Sequence, residues 1–521
     1  MSQSFYITTA ISYPNGKPHI GHAYESIASD ALARYHRLAG DDVYFQTGTD
    51  EHGLKMAQTA RNRDIEPIAL ADEMSSHFKT MDDVYNISYD RFIRTTEAEH
   101  YKASQALWKT LADAGHIYLG RYEGWYSIRD EAFYKEEELV TDSKGEKLSP
   151  QGTPVEWNVE ESWFFRLSAF QDKLLAYYEA HPDFIQPEAR RNEVISFVKS
   201  GLADLSISRT SFDWGIPVPD SPGHVMYVWI DALTNYLTGA GYPDNKERFD
   251  RYWPADIHVI GKDIIRFHAV YWPAFLMAAD IALPKKVFGH GFLLNRGEKM
   301  SKSVGNVVDP IDMAKLYGVD QIRYFLLREV TFGQDGSYSH EAIVNRINAD
   351  LANDFGNLAQ RSLSIIAKNG AKVPSPEDTR AEDQALMEKI AGIPHQVATA
   401  MNNVAPNQAL DAIWRGVGEA NLYISEQAPW TVRKTDPVRA DSILYWTIEA
   451  VRQLAILCRW AMPASCDALL DLLGQGADQR DFRALSAPLV PGLPLPKPVG
   501  VFPRFVENDK NNSEKAAKDK A

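Results

Sequence analysis

Two histidines three residues apart, His19 and His22, follow the loop Tyr13-Pro14-Asn15-Gly16-Lys17-Pro18. About 280 residues later, two lysines three apart, Lys299 and Lys302, sit in Lys299-Met300-Ser301-Lys302-Ser303. On the first turn of a helix the two imidazoles share a face, where backbone N–H groups and the helix dipole favour an anion. Gly21 between them leaves a flat surface for an adenine ring. Lysines on a small-residue loop reach phosphates as mobile point charges. The plainer reading is a pair of surface histidines and a solvated turn. Taken together, in this order and at this separation, the motifs point to ATP held between two halves of one nucleotide-binding fold and to adenylyl transfer.

The elements around them are those of a parallel α/β sheet. Residues 5–10 read as a buried strand, about 18–38 as a helix, and Val43-Tyr44-Phe45-Gln46 as a second strand running into Gly48-Thr49-Asp50-Glu51-His52-Gly53. Ligands of such sheets gather at the carboxyl ends of the strands. Near Gly120 the texture changes to Trp, Tyr, Glu and turn residues, as in a small mixed insertion. The α/β pattern resumes at Val225–Ile230, returns at Asp256–Gly261 and closes with Val287–Leu294. From about Glu341 apolar residues recur at spacings of three and four (Ile343, Ile347, Leu351, Phe355, Leu358), which marks a helical bundle.

The expected organisation is therefore a Rossmann-type parallel-sheet domain over 1–120 and 225–340, with the lysine loop and a stem-contact region in its second half. A mixed α/β connective domain over 121–224 interrupts it, and an α-helical bundle follows over 341–488. An extended Pro-rich segment over 489–506 and a disordered tail over 507–521 complete the chain.

At 521 residues the chain is too long for one core, and its net charge of −15 argues against indiscriminate nucleic-acid binding. The two cysteines, Cys458 and Cys466, supply neither a disulfide framework nor a multi-cysteine zinc site. No apolar run reaches the ~18 residues of a membrane helix, and no leader sequence is legible at the start. The expectation is a cytoplasmic protein without a membrane.

With these motifs in place the chain resembles the class I aminoacyl-tRNA synthetases, and among them the methionyl-tRNA synthetase family, from Ile7 to about Phe505. The most specific stretches are 10–22, 48–53, 227–236, 261–272, 299–306 and 421–430. The resemblance implies an ATP-dependent ligase that makes methionyl-adenylate and passes methionine to the end of a tRNA with anticodon CAU, releasing pyrophosphate and AMP. It implies a methionine pocket lined by Tyr13, Trp229, Ala232, Leu233, Tyr236, Ile264 and His268, with Ile11 contributing backbone and Asp50 holding the ammonium. An unbranched thioether suits such an aromatic slot, and the Tyr236 hydroxyl is the expected partner of the sulfur. Leu233 departs from the proline that many members carry.

ATP, with magnesium on its phosphates, would meet His19, Gly21, His22, Lys299, Ser301 and Lys302, of which the histidines and lysines would be catalytic. Asn357, Arg361 and Trp430 would read the anticodon, with Arg433 and Lys434 close by for phosphate. Many members hold zinc in the insertion through cysteines. Here Ser127 stands at one such position, so the resemblance is to a branch without structural zinc or any other metal. The insertion would then be held by Trp125, Tyr126, Phe133, Tyr134, Trp157, Trp163, Phe164 and Phe165. A monomer is expected.

Rival readings fit less well. Synthetases for valine, isoleucine and leucine need a far larger insertion, and the cysteine enzyme needs a zinc thiolate. Small adenylyl- or cytidylyltransferases lack the bundle. A catalytically dead RNA-binding relative would have no need of His19, His22, Asp50 and Lys302 together.

Overall fold

The computed structural model describes residues 3–14, 16–129, 132–134, 136–295, 298–299 and 308–507; for 122, 132, 133, 160, 295, 298 and 299 only the backbone is described. The described chain forms two compact units, one built from the residues up to Asp30 with Asp42–Phe292, the other from Ala31–Asp41 with the chain from Leu293 onward.

The first unit is organised by a six-stranded sheet: β1 (Ser4–Thr9), β2 (Asp42–Thr49), β3 (Arg91–Arg94), β4 (Ile185–Gln186), β5 (Ile257–Gly261) and β6 (Val287–His290). The order is β3-β2-β1-β5-β6-β4, and every pairing is parallel. The sheet is buried on both faces, which is why β5 and β6 are buried at every position. Connections leave β1 toward β2 on one side, while β5 lies on the other. Their carboxyl ends therefore open a crevice at the switch of direction, the place where such sheets bind ligands.

Two sequence readings change here. The run Val225–Ile230 is a strand only at Val225–Met226; Val228–Ala240 is a helix (α2) buried over most of its length. The apolar run by itself cannot tell a helix from a strand; the helical signal, polar residues at Asp231, Thr234, Asn235 and Thr238, lies beyond it. In addition β4, from within the segment read as an insertion, pairs with β6 at the sheet's edge through a two-residue register. Such a short element carries no periodic signal.

The insertion's own centre is the long antiparallel pair Ile117–Ser127 and Glu156–Phe165. Tyr126, Phe164 and Phe165 are buried in it, but Trp157 is 54% exposed, so the aromatic set is not wholly a core. At the pair's end, hydroxyls take over: Ser127 Oγ lies 2.6 Å from Thr153 Oγ1, which lies 2.7 Å from Ser149 Oγ, and all three residues are buried.

In the second unit Ile343, Ile347, Leu351, Phe355 and Leu358 are all buried. Four-residue steps outrun a 3.6-residue period. The helix absorbs the mismatch with widened turns over Ile347–Gly356 before α3 (Asn357–Lys368). α4 (Pro406–Gln427) and α5 (Pro437–Cys458) form the bundle's centre, tied by buried Arg439, whose guanidinium grips the Asp383 carboxylate on the helix Ala381–Ala391. The Pro-rich segment packs back on this unit: Leu493 O accepts from Val373 N at 2.9 Å, and Leu489 O from the Tyr445 hydroxyl at 2.9 Å. The tail beyond Glu507 lies outside the described residues. Among the described residues no helix is long and apolar enough to cross a membrane.

Candidate active site

Helix α1 (Ile20–Ala39) begins two residues later than the sequence reading of about 18, so His19 is its N-cap rather than part of its first turn. The two histidines cap the helix reciprocally. His19 Nδ1 accepts from Gly21 N at 3.1 Å, and His22 Nδ1 accepts from His19 N at 3.1 Å. The His22 bond is the returning half of a capping box, while the His19 bond goes to the second helical N–H rather than the third, with imidazoles in place of the usual hydroxyl and carboxylate. Because each Nδ1 is an acceptor, each neutral ring carries its proton on Nε2. The rings stack at 3.9 Å with 29° between planes, and His22 meets the edge of Phe78. A Cβ on Gly21 would lie 2.9 Å from His19 Cε1, so glycine is what lets His19 fold over the helix end.

Below this cap, Glu25 joins the ends of two strands. Its Oε1 accepts from Ala10 N, just beyond β1, at 3.0 Å, and its Oε2 lies 2.8 Å from His290 Nε2 at the end of β6. Burial works against a charge on His290, but the Glu25 carboxylate and the Gly291 carbonyl raise its pKa above the ordinary value. Asp263, exposed just past β5, adds to that pull.

The methionine-pocket residues named from the sequence all fall in the first unit. Ile11, Tyr13 and Ile264 are half-buried, and Ala232, Leu233, Tyr236 and His268 are buried. Trp229, half-buried at the start of α2, stacks on Phe267 at 3.6 Å and 7°. The Tyr13 hydroxyl accepts from Met56 N at 3.2 Å. α2 lies close on β2: a Cβ on Gly239 would fall 1.3 Å from Gln46 Oε1, and Gln46 Nε2 donates to Asn235 Oδ1 at 2.7 Å.

His268 sits on a widened helical turn, Phe267–Tyr271. Its Nδ1 is 3.1 Å from the Ile264 carbonyl, which can only accept, and its Nε2 is 2.7 Å from the Tyr236 hydroxyl. Burial pushes the His268 pKa from 6.5 down to about 4. The ring is therefore neutral with its proton on Nδ1, and the Tyr236 hydroxyl donates to Nε2. The Asn235 and Thr8 side chains also hydrogen-bond the phenol. On its other face Tyr236 stacks on buried His258 at 4.0 Å.

This arrangement sets a pH dependence. Between pH 4 and 6.5 the unfolded chain binds a proton at residue 268 that the folded chain refuses, so the contribution is complete above 6.5 and fades as pH falls. Urea denaturation should show the wild type about 2 kcal/mol less stable at pH 5 than at pH 7.5 from this residue alone, and His268→Gln should flatten that difference. Equal pH slopes in the two proteins would refute it.

Asp50 is buried on the loop that ends β2, with its N–H on the Ser12 carbonyl at 2.9 Å. Its neighbour Glu51 is fully buried and gripped by Arg94 (Nε–Oε1 2.7 Å), with Thr49 and Thr96 hydroxyls at 2.7 and 2.5 Å. Trp214 Nε1 holds the Glu51 carbonyl at 2.7 Å.

In the second unit Asn357 and Arg361 stand four apart on α3, exposed and half-buried. The Arg361 guanidinium lies 5.2 Å from the ring centre of Trp430, which is 41% exposed. Ala428, at φ 40° and ψ 60°, breaks the chain sharply between α4 and the short helix Pro429–Val432 that carries this tryptophan. Arg433 pairs with Asp441, and Lys434 is exposed. Lys299 pairs by its backbone with Leu294, and Ser301 and Lys302 lie outside the described residues.

Comparison with known proteins decides the family. The model of class I tRNA synthetases of the methionine type, "tRNA synthetases class I (M)", matches residues 5–363, and that of the "Anticodon binding domain of methionyl tRNA ligase" matches 373–518. The chain is 60% identical over 512 residues to a methionine–tRNA ligase of Brucella suis, covering 98% of this chain and 99% of the relative. This chain belongs to the methionyl-tRNA synthetases of class I. A Mycobacterium tuberculosis methionyl-tRNA synthetase in complex with methionyl-adenylate superposes with a TM-score of 0.94 at 59% identity, over 96% of this chain and all of that one. Its apo form gives 0.89 at 55% identity, over 98% of this chain and 99% of that one.

For this methionyl-tRNA synthetase family member, sequence reasoning missed Glu25, Arg94, His100, Asp231, His258 and His290. Glu25, three residues past His22 on α1, could have been found by following the helix face one turn further. His258 and His290 are single polar residues in apolar strands, Arg94 and His100 sit among other polar residues that do not single them out, and the partners of Asp231 are distant in the chain. Among the described residues no group of three or more His, Cys, Asp or Glu is placed to hold a metal ion.

Proposed function

We propose that this chain activates L-methionine with ATP and transfers it to methionine tRNA, with the roles below. The methionine carboxylate, ionised at neutral pH, attacks the α-phosphorus of ATP; a carboxylate–phosphorus bond forms and pyrophosphate leaves. No protein base is needed, so catalysis is positioning plus stabilisation of charge on the phosphate oxygens. His19 and His22 donate from Nε2, and Lys299, Ser301 and Lys302 act from the opposite motif, with magnesium on the phosphates. A terminal ribose hydroxyl of tRNA then attacks the adenylate carbonyl, and AMP departs.

Asp50 receives the methionine ammonium. The side chain lies among Tyr13, Trp229, Ala232, Leu233, Tyr236, Ile264 and His268, with Ile11 alongside. Asn357, Arg361 and Trp430 read the CAU anticodon. The hydroxyls of Ser127, Ser149 and Thr153 support an insertion that needs no zinc. The enzyme works as a cytoplasmic monomer. The observation that carries the methionine reading is the His268–Tyr236 pair: a neutral, buried polar couple at the base of an aromatic slot suits an uncharged thioether and offers nothing to a charged side chain.

The deciding measurement is methionine-dependent exchange of pyrophosphate into ATP. Exchange with methionine and not with leucine is expected, followed by charging of a CAU tRNA. No exchange, or equal exchange with leucine, would sink the proposal. Asp50→Asn should raise the methionine KM by about 10- to 100-fold, the size expected for a lost hydrogen bond between charged groups.

A further inference from the structure

Beside the site lies a buried polar knot that the chemistry above does not use. Asp231, on the first turn of α2 between Trp229 and Ala232, is fully buried. Its Oδ2 is 2.7 Å from His52 Nδ1, and its Oδ1 is 2.7 Å from His100 Nε2. The far nitrogens are also engaged: His52 Nε2 lies 3.0 Å from the Tyr101 hydroxyl, and His100 Nδ1 lies 3.0 Å from the Thr238 hydroxyl. Burial by itself would raise the Asp231 pKa, but His52 and His100 hold it below the usual carboxylate value. An ionised Asp231 only accepts, so both imidazoles donate to it: His52 from Nδ1 and His100 from Nε2.

The knot joins three elements: the loop after β2, helix α2 and the helix Ala98–Asp113. Asp50 and His52 share that loop, and Ala232, Leu233 and Tyr236 share α2 with Asp231. The loop is also anchored at Asp50, whose N–H bonds the Ser12 carbonyl; at Glu51, whose side chain is gripped by Arg94, Thr49 and Thr96 and whose N–H and carbonyl bond Thr95 Oγ1 and Trp214 Nε1; and at Gly53, whose N–H bonds the Trp214 carbonyl. Of the attachments on the carboxyl-terminal side of Asp50, the His52 one leads to α2. A small displacement of a gripping group costs rate and affinity far out of proportion to its size.

We propose that Asp231 is a positioning residue for methionine: through His52 and His100 it sets the Asp50 loop at a fixed separation from the side-chain pocket on α2, so that the ammonium and thioether ends are held together. This rests on the assignment of Asp50 to the ammonium.

The test compares methionine with 4-(methylthio)butanoate, which lacks only the amino group, as substrate and competitive inhibitor in pyrophosphate exchange. In Asp231→Asn the methionine KM should rise by about 10- to 100-fold, the inhibition constant of the desamino acid by less than about threefold, and the ATP KM should hold. His52→Asn and His100→Gln place an amide N–H where the imidazole donated and should recover most of the methionine affinity. His52→Phe and His100→Leu should behave as Asp231→Asn does. An unchanged methionine KM, equal losses for the two ligands, or amide variants no better than Phe and Leu would overturn the proposal. Asp50→Asn is measured alongside. If it leaves the ratio of the two ligands unchanged, the ammonium assignment itself fails, an outcome separate from any result at Asp231.

Discussion

Replacing His22 with alanine is expected to lower kcat for methionine-dependent pyrophosphate exchange by about 100- to 1000-fold, the range for losing one preorganised donor to a developing oxyanion. The methionine KM should move by less than about threefold, since His22 belongs to the helix cap and not to the side-chain pocket. The argument is one of proton placement. His22 Nδ1 accepts from the backbone of His19, so Nε2 carries the ring's proton and can only donate. A donor already fixed by its own backbone needs no reorganisation when charge spreads onto the phosphate, and such donors contribute most in the transition state. The same substitution removes a helix cap at a cost of about 1 kcal/mol, too little to unfold the protein and measurable as a small fall in Tm. His22→Gln, which can donate from roughly the Nε2 position, should recover part of the loss. A fall in exchange that appears wholly in the methionine KM, or no fall at all, would remove His22 from its assigned role.

Trp430→Ala should act on the other substrate alone. Loss of a stacked base is worth about 1–3 kcal/mol, so the tRNA KM in aminoacylation should rise by about 10- to 100-fold while pyrophosphate exchange stays as it was. The local structure supports an open platform. One side of the indole is covered by the Arg361 guanidinium at 5.2 Å, yet 41% of the residue is exposed, whereas Trp414 and Trp446 are half-buried and Trp460 is buried. The left-handed Ala428 is a position that non-glycine residues rarely adopt, and it is what turns the chain so that Trp430 emerges from the end of α4. Arg361→Ala should weaken tRNA binding in the same direction, through loss of the stacked cation and of its hydrogen bonds. A loss of exchange in Trp430→Ala would show that the residue supports the fold instead.

Much of the site is legible in the sequence because its chemistry is written in short contiguous motifs. Residues 19–22 are three apart on one helix end, and 48–53 is a single loop. The four-residue spacing from Ile343 to Phe355 survives as a buried stripe even though the helix must widen to keep it. What escapes a reading of the sequence is of another kind. The strand Ile185–Gln186 is too short to show a period, and α2 opens on an apolar run whose polar partners, Asp231, Thr234, Asn235 and Thr238, come only later. His52, His100 and Asp231 are far apart in the chain, and nothing local marks an aspartate that two distant histidines hold.

The sequence by itself thus determined the family and the α/β and helical parts, and it named the candidate side chains, because spacing along a helix or loop is a local property. Only the tertiary structure decided which atom of each side chain does what. Backbone N–H groups occupy Nδ1 of His19 and His22, which leaves their protons on Nε2, and the Tyr236 proton is committed to His268. Proton positions depend on which acceptors folding brings within 3 Å, and those partners lie up to 179 residues away in the Asp231 knot, beyond the reach of any local pattern.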